Sequence, residues 1–331
     1  MKIFRAEPSN FSHIYNERLG FPDSLFFKTA QQRQGFYRRM FDEDFARLFR
    51  SHNRRTGNLF EVVSSDEAVM HKLLENIRTR YAPRSVDETV RELVENVAQT
   101  LIWSGKAYYF LYDDLDDETV HVVSFNSDGV FCLLGTYIQW VPKHVESRWN
   151  EDDIEHPREI RILDSTKVLR FGMPSAIQRM LRQQNKTLAV LDKLQFITPA
   201  DFRLQATYEN PNPTSHFDYK VWSDLQSRAL YRATRGTGWN GRKYDSSKGS
   251  DFFDCHRLIR FRRNQIMLRD EILKQLSTEL SRVGKSLASG FSVKIFGTDQ
   301  LPSLAALDEL VLGLATESVG FKEVIDYCFK R

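Results

Sequence analysis

The carboxylates of this chain are the side chains that could support hydrolytic chemistry. Nuclease sites place two or three carboxylates, often with a lysine, around Mg²⁺. The run Asp113–Glu118 reads DDLDDE, and Glu159, Asp164 and Lys167 form a second set of suitable types. The run lies between two predicted strands, where a hydrated hairpin tip is expected. The second set does not match the D-x(n)-E-x-K spacing. We therefore predict no metal site, and a metal-dependent nuclease stays an alternative.

Other catalytic and cofactor motifs fail in their context. The eight histidines and three cysteines show no zinc-ligand spacing, and no G-x-S-x-G is present. Gly236–Gly241 matches G-x-G-x-x-G, but a helix is predicted before it where a dinucleotide site needs a strand. Gly284–Ser286 resembles the end of a P-loop, yet Glu279 occupies the position of the required first glycine. We expect no catalytic residue and no cofactor.

The charge distribution offers a stronger signal, in the segment 228–269. This segment holds eleven Lys/Arg against three Asp, a local net charge of +8, in a chain whose total is only +3. Cations and an aromatic side chain on a glycine-rich loop suit contact with phosphates and bases without sequence recognition. We expect tryptophan 239 to be exposed, and a solvated linker is the alternative. The predicted DNA-contacting residues are Arg235, Trp239, Arg242, Lys243 and Lys248.

A second set of cations lies on a long helix predicted at about 254–284. Ile259, Ile266, Leu273 and Leu280 are seven residues apart, and the positions three residues later hold arginine in the first half and Leu276 and Val283 in the second. The first half should therefore project arginines toward an aqueous or anionic partner. These arginines could equally pair with carboxylates of a neighbouring helix or subunit. The candidates are Arg257, Arg260, Arg262, Arg263 and Arg269.

The elements that must position these residues are helices on both sides of a group of strands. Ser64 with Glu67 and Ser85 with Glu88 match the capping box and predict helices at about 66–81 and 86–103. Short β-branched and aromatic runs from 106 to 171 predict an antiparallel meander. Helices follow at about 174–196, 217–234, 303–315 and 320–329, with a strand at 291–296. This is an α+β fold with no membrane span and no signal peptide.

The order of these parts resembles the portal proteins of tailed phages. The resemblance lies in LIWSGKAYYFLY (101–112), a helix ending in glycine before an Ala-Tyr strand, and in REIRILDSTKVLRFGMP (158–174). It implies an N-terminal arm (1–63), a wing-like α+β domain (64–173), and stem-like helices (174–253). The last region would contain a clip-like insertion (198–215) and a basic tunnel loop (236–251). The long helix and an α/β tail (254–331) complete the portal-like subunit.

The resemblance implies a non-enzymatic ring of about a dozen copies through which double-stranded DNA passes during packaging. Terminase, capsid and adaptor proteins would be its partners. The location would be the virion, or the host cytoplasm before assembly. The acidic segments 113–118 and 151–155 would be candidates for contact with the next subunit. A nucleic-acid-binding accessory protein of one or two copies, active for example in phage defence, remains the other alternative.

Overall fold

The computed structural model describes residues 2–9, 21–27, 35–49, 59–78, 85–114, 119–146, 154–205, 219–242 and 251–328. The helices in these ranges are α1 (Phe21–Ser24), α2 (Phe36–Ala46), α3 (Glu67–Glu75), α4 (Val86–Ser104), α5 (Ser175–Gln205), α6 (Tyr219–Ala233), α7 (Asp251–Gly284), α8 (Leu304–Ala315) and α9 (Phe321–Cys328). The strands are β1 (Lys2–Arg5), β2 (Phe60–Ser64), β3 (Ile77–Arg78), β4 (Lys106–Asp114), β5 (Thr119–Phe125), β6 (Val130–Leu133), β7 (Thr136–Val141), β8 (His144–Glu146), β9 (Ile154–His156), β10 (Glu159–Leu163), β11 (Val168–Gly172) and β12 (Val293–Gly297).

The strands form two small mixed sheets and two strand pairs, and the α+β class predicted from the sequence is confirmed. One sheet has the order β1-β10-β7-β6 and the other β11-β4-β5-β3, while β12 pairs with β2 and β8 with β9. Within the described residues every pairing is antiparallel except β1–β10 and β3–β5. The parallel strand β1 falls in a region where no strand was predicted, because four residues carry too little pattern to indicate one.

The described chain divides into two compact units, each built from separated segments. The first unit holds β1 to β12, α1, α3, α4 and the part of α7 from Arg269 onward. Tyr108, Phe110, Phe125 and Val168 form part of its core. Gln275 of α7 bonds both the backbone N–H and the carbonyl of Gly172, at 2.9 and 3.1 Å. The C-terminal half of α7 is thereby held against the edge strand β11.

The second unit is helical and contains α2, α5, α6, the part of α7 up to Leu268, α8 and α9. Helix α5 packs against α2 and α6. Buried Cys255, Ile259 and Ile266 of α7 pack with Leu307 and Leu314 of α8 and Val324 and Cys328 of α9. The linear division into arm, wing, stem and tail stays a prediction. The structural units combine segments that are far apart in sequence.

Helix boundaries test the capping signals. Ser85 accepts a hydrogen bond from the Glu88 backbone N–H at 3.2 Å, so the predicted start of α4 is confirmed. Gly105 ends α4 in the left-handed conformation, with φ of 77°. The predicted cap of α3 is wrong. Asp66 accepts from the N–H groups of Ala68 and Val69, while Ser64 belongs to β2.

Helix α5 is longer than the sequence predicted. It continues past Pro199 to Gln205, whereas the prediction ended it near residue 196. Proline at a helix interior removes one backbone hydrogen bond, which biases a sequence-based boundary toward an early stop. The clip-like assignment of 198–215 stays a prediction, and residues 206–215 lie outside the described residues. Among the described helices, none combines the length and apolarity needed to traverse a bilayer.

Candidate nucleic-acid interface

Two residues of the basic segment 228–269 bond a buried carboxylate on another helix, α2. Asp44, on the last turn of α2, is 4% exposed. Its Oδ2 accepts from the indole Nε1–H of Trp239 at 3.0 Å and from Nε of Arg242 at 2.9 Å, and its Oδ1 accepts from Nη2 of Arg242 at 2.8 Å. Two of the residues predicted to contact DNA therefore meet on an internal anion.

Trp239 is part of the core of the second unit. It is 3% exposed, and its ring meets Phe41 edge to face with centroids 5.5 Å apart. The expectation that it is exposed is wrong. A tryptophan beside glycines reads as a loop residue in a sequence, but burial with a hydrogen bond for the indole N–H is a common state of this side chain.

Arg242 forms a fork to two carboxylates. Besides Asp44, its Nη2 bonds Glu43 Oε2 at 3.1 Å. The hydrogen bonds to Asp44 raise the pKa of the Arg242 guanidinium above its ordinary value, against the effect of partial burial. Burial favours the neutral form of Glu43, but hydrogen bonds from Arg242 and Arg39 outweigh it and lower its pKa. Arg242 is thus committed to an internal ion pair, although 38% of its side chain is exposed.

The glycine pattern at 236–241 has a packing explanation. Gly238 has a φ of +81°, and a Cβ placed there would lie 2.2 Å from the carbonyl oxygen of Arg257 and 2.8 Å from the backbone N of Phe261. Only glycine permits so close an approach of this segment to α7. A glycine that brings a loop against a helix backbone accounts for part of the G-x-G-x-x-G match without a nucleotide.

Arg257 points into the same cluster. Its guanidinium donates to the carbonyl oxygen of Tyr231 at 3.2 Å, to Thr234 Oγ1 at 2.7 Å and to the carbonyl oxygen of Trp239. It is 5% exposed, and burial lowers its pKa below the usual value. The side chain joins the end of α6 to α7. The expectation that it projects toward an outside partner is wrong for this residue.

Arg262 and Gln265 stabilise the ends of two helices. Arg262 donates Nε–H to the carbonyl oxygen of Cys328, the last residue of α9, at 2.6 Å, and a cation there also favours the helix dipole. Nε2 of Gln265 donates to the carbonyl oxygens of Asp44, Phe45 and Arg47 at 3.0, 3.1 and 3.2 Å. Arg262 is 7% exposed and is therefore a capping residue. Its predicted outward orientation is wrong.

The remaining cations of the long helix divide by exposure. Arg269, in the first unit, is 6% exposed and pairs with Asp270 at 2.8 Å, so its predicted projection toward an outside partner is wrong. Arg263 is exposed and pairs with Asp308 of α8. Arg260 is exposed and donates to the carbonyl oxygen of Arg235 at 2.9 Å. The alternative of pairing with a carboxylate of a neighbouring helix thus holds for Arg263, whereas the partner of Arg269 lies on its own helix.

The cations predicted in and beside the loop differ in what the structure describes of them. Arg235 is exposed at the end of α6 and can meet an external anion. Lys243 and Lys248 lie outside the described residues, so their role stays a prediction. The structure therefore brings Trp239 and Arg242 together on α2, with Arg257 bonded to the carbonyl of Trp239, and leaves Arg235 and Arg260 at the surface. The residues that sequence reasoning missed are Asp44 and Gln265. No spacing rule marks them, because their partners are about 200 positions away.

The carboxylates considered for metal binding have other partners where they are described. Glu159 pairs with Arg161 at 2.9 Å. Asp164 accepts from the hydroxyl and the backbone N–H of Thr166, at 2.7 and 2.9 Å, and these hydrogen bonds lower its pKa. The side chains of 113–118 and 151–155 lie outside the described residues. Within the described part of the chain, no group of three or more His, Cys, Asp or Glu side chains could hold a metal ion.

Comparison with known proteins identifies the fold. No protein-family profile matches this sequence. No curated protein matches it either. Among solved structures, a chain from the neck of an empty gene transfer agent (GTA) particle, computed with C6 symmetry, has a TM-score of 0.51 and 12% identity. The match covers 93% of this chain and 92% of the other.

Two further structures are similar at lower scores. A chain from the neck of a native GTA particle, computed with C12 symmetry, has a TM-score of 0.41 and 13% identity over 92% of this chain and 91% of that one. An HK97-family phage portal protein from Corynebacterium diphtheriae has a TM-score of 0.38 and 10% identity over 86% of this chain and 97% of that one. The portal resemblance predicted from the sequence is confirmed as a likeness of fold. The fold assignment itself rests on the first neck chain, whose TM-score is 0.51.

Proposed function

We propose that this chain is a ring-forming structural subunit of the portal type, which conducts double-stranded DNA at the neck of a phage or phage-like particle. The observation that carries the proposal is the shared fold with the GTA neck chain, which extends over nearly all of both chains. That structure was computed with C6 symmetry, which fits a protein that assembles around an axis.

The charges of the second unit support the part of the proposal that concerns DNA. Arg235 and Arg260 are exposed and close to each other, since one bonds the backbone of the other. In a ring, each subunit would contribute the same cations around a common axis. Their combined field would attract phosphates without selecting a sequence, as a conduit requires. Lys243 and Lys248 would add to this field. Trp239 and Arg242 would act indirectly, by fixing the base of the loop.

Partners and location follow from the same proposal. A connector subunit would contact capsid and adaptor proteins in the virion and a terminase during packaging, after synthesis in the host cytoplasm. The acidic segments 113–118 and 151–155 would face the neighbouring subunit. A nucleic-acid-binding accessory protein would share the cations but would not need a ring. A metal-dependent nuclease has no specific support among the described residues.

Mass in solution tests the proposal. Light scattering coupled to size exclusion should give a closed assembly of at least six copies of the 38.7 kDa chain. A dilution series serves as the control, because a closed ring keeps one mass until it dissociates, whereas open aggregates change mass continuously. A mass of one or two copies at all concentrations would exclude the ring and favour the accessory-protein alternative.

A further inference from the structure

A row of positively charged side chains lies on the solvent side of α5. Arg179, Arg182, Lys186 and Lys193 are all exposed. Their spacings of three, four and seven residues place them within an arc of about 60° on the helix, along about 21 Å of its length. We call these four residues the basic face of α5. It lies outside the segment 228–269 to which the sequence pattern drew attention.

The opposite side of α5 is packed. Ile177, Leu181, Leu188 and Leu191 are buried. Asp192, which is 4% exposed, is the one acidic residue in 175–193. Its Oδ1 accepts the backbone N–H of Tyr37 at 2.7 Å. The charged side chains exposed on this stretch are therefore all cations, and none of the four pairs with a carboxylate among the described residues.

Helix α6 continues the pattern. Arg228 and Arg232 of α6 are exposed four residues apart on one side of the helix, and Arg235 is exposed in the turn that follows it. The two helices pack against each other in the second unit. A Cβ placed on Gly236 would lie 3.4 Å from Cγ of Met180, so the end of α6 lies beside the first turns of α5. The row on α6 ends near the start of the row on α5.

A row of like charges on a helix is unfavourable unless a partner of opposite charge lies against it. Exposed helices commonly alternate charges, because like charges at spacings of four residues cost ~0.2–0.5 kcal/mol per pair. Arg182 and Lys186 form such a pair. An extended polyanion removes the repulsion. Duplex DNA presents one negative charge per ~1.7 Å of its axis, so long cationic side chains spread over about 21 Å can all reach phosphates.

We infer that the basic face of α5, extended by the row on α6, is the surface that contacts the phosphate backbone of duplex DNA. This inference rests on the proposed function in taking DNA as the cargo of the ring. It moves the main contact from the loop at 236–251 to two rigid helices. The face consists of arginine and lysine side chains, whose charges attract the phosphates of any sequence.

Salt-dependent binding to a random-sequence DNA duplex tests the inference. The variant Arg179→Gln/Arg182→Gln/Lys186→Gln should bind at least ~10-fold more weakly at low salt, and the slope of log K against log salt should fall by about 0.9 for each phosphate that the variant no longer neutralises. The matched control Lys274→Gln/Lys285→Gln/Lys294→Gln removes the same charge at exposed positions of the first unit and should keep the wild-type slope.

Light scattering of the same samples separates the outcomes. If the triple variant binds DNA with wild-type affinity and slope, the inference is wrong. If the variant loses assembly but keeps its DNA slope, the face is a subunit contact and the inference is also wrong. The same holds if Lys243→Gln/Lys248→Gln alone carries the whole loss. A wild-type monomer whose DNA binding depends on the face would exclude the ring and leave this inference standing. Lys186→Gln/Lys193→Gln repeats the test should the triple variant fold poorly.

Discussion

At the scale of single residues, an arginine in the sequence does not reveal where its charge is used. Arg242, Arg257 and Arg262 belong to a segment of high positive charge, yet each bonds groups inside the second unit. Asp44 explains the first of them, because a carboxylate that is 4% exposed requires both a counter-charge and hydrogen bonds. The cations left for an external partner are those whose side chains remain exposed.

Arg242→Ala should lower the stability of the protein far more than it lowers DNA affinity. The change removes the guanidinium that pairs with Asp44, a carboxylate that is 4% exposed. Loss of a fully buried pair costs ~3–5 kcal/mol, and the partial exposure of Arg242 reduces our expectation to about 2–3 kcal/mol. Urea denaturation measures the free energy of unfolding. Arg232→Ala is the control, an exposed arginine that should change it by less than ~0.5 kcal/mol. Equal effects for the two variants would contradict the assignment.

Asp42 should make stability depend on pH. Burial raises its pKa to about 7 despite the nearby Arg38, and its Oδ1 has no hydrogen-bond partner among the described atoms. Below pH ~4 both the folded and unfolded states hold the proton, so burial carries no charge penalty. Between about pH 4 and 7 the unfolded state alone loses it, and stability falls as pH rises.

Asp42→Asn removes that titration. The variant should gain more stability over the wild type at pH 8 than at pH 5, because the cost of burying Asp42 grows by ~1.4 kcal/mol for each pH unit between the unfolded and folded pKa values. Denaturation at the two pH values measures the difference in the free energy of unfolding between variant and wild type. Taking this difference cancels the titration of the other groups, which both proteins share. A difference that is the same at both pH values would show that Asp42 ionises normally in the folded protein.

At the scale of elements, α7 shows why a regular pattern can be seen correctly and interpreted wrongly. The seven-residue repeat is real, since Ile259, Ile266, Leu273 and Leu280 are all buried. The arginines that interrupt it are buried too, because backbone carbonyls and a carboxylate meet them there. A periodic pattern reports which residues share a face of a helix, but not what faces them.

Gly238→Ala should test the contact between the glycine segment and α7. A Cβ would overlap the backbone of Arg257 and Phe261, and the positive φ adds strain. We expect a loss of at least ~2 kcal/mol in the free energy of unfolding. Gly172→Ala is the control, because a Cβ there meets nothing within 4 Å. A tolerated Gly238→Ala, with a melting temperature near that of wild type, would show that this approach is not needed.

The sequence was sufficient for elements with strong local signals. The capping serine of α4, its buried stripe and the strands after Gly105 were all predicted, because each signal lies within a few residues. The environment of Asp44 could not be predicted, since its partners Trp239 and Arg242 lie 195 and 198 positions away. The basic face of α5 could have been found from spacing alone. It was missed because its charges are spread through a helix of ordinary composition.

At the scale of the whole molecule, the net charge of +3 conceals opposite tendencies. The segment 228–269 alone has a net charge of +8, so the rest of the chain is acidic overall. A subunit with charges separated in this way suits repeated contact with identical neighbours around an axis, together with a polyanion within it. The mass given by light scattering would decide between a ring and a smaller DNA-binding protein.

The attachment of α2 has a consequence for how the protein is made. The N–H group of Tyr37 is bonded by Asp192, the Trp239 indole reaches Asp44, and Gln265 bonds the carbonyls at the end of α2. Each partner leaves the ribosome more than 150 residues after the residue of α2 that it bonds. Synthesis adds ~5–20 residues per second, so Phe41 and Phe45 of α2 stay uncovered for roughly ten seconds or longer. During that interval the nascent chain offers an apolar segment to chaperones, and truncated chains ending before residue 192 would lack all three partners.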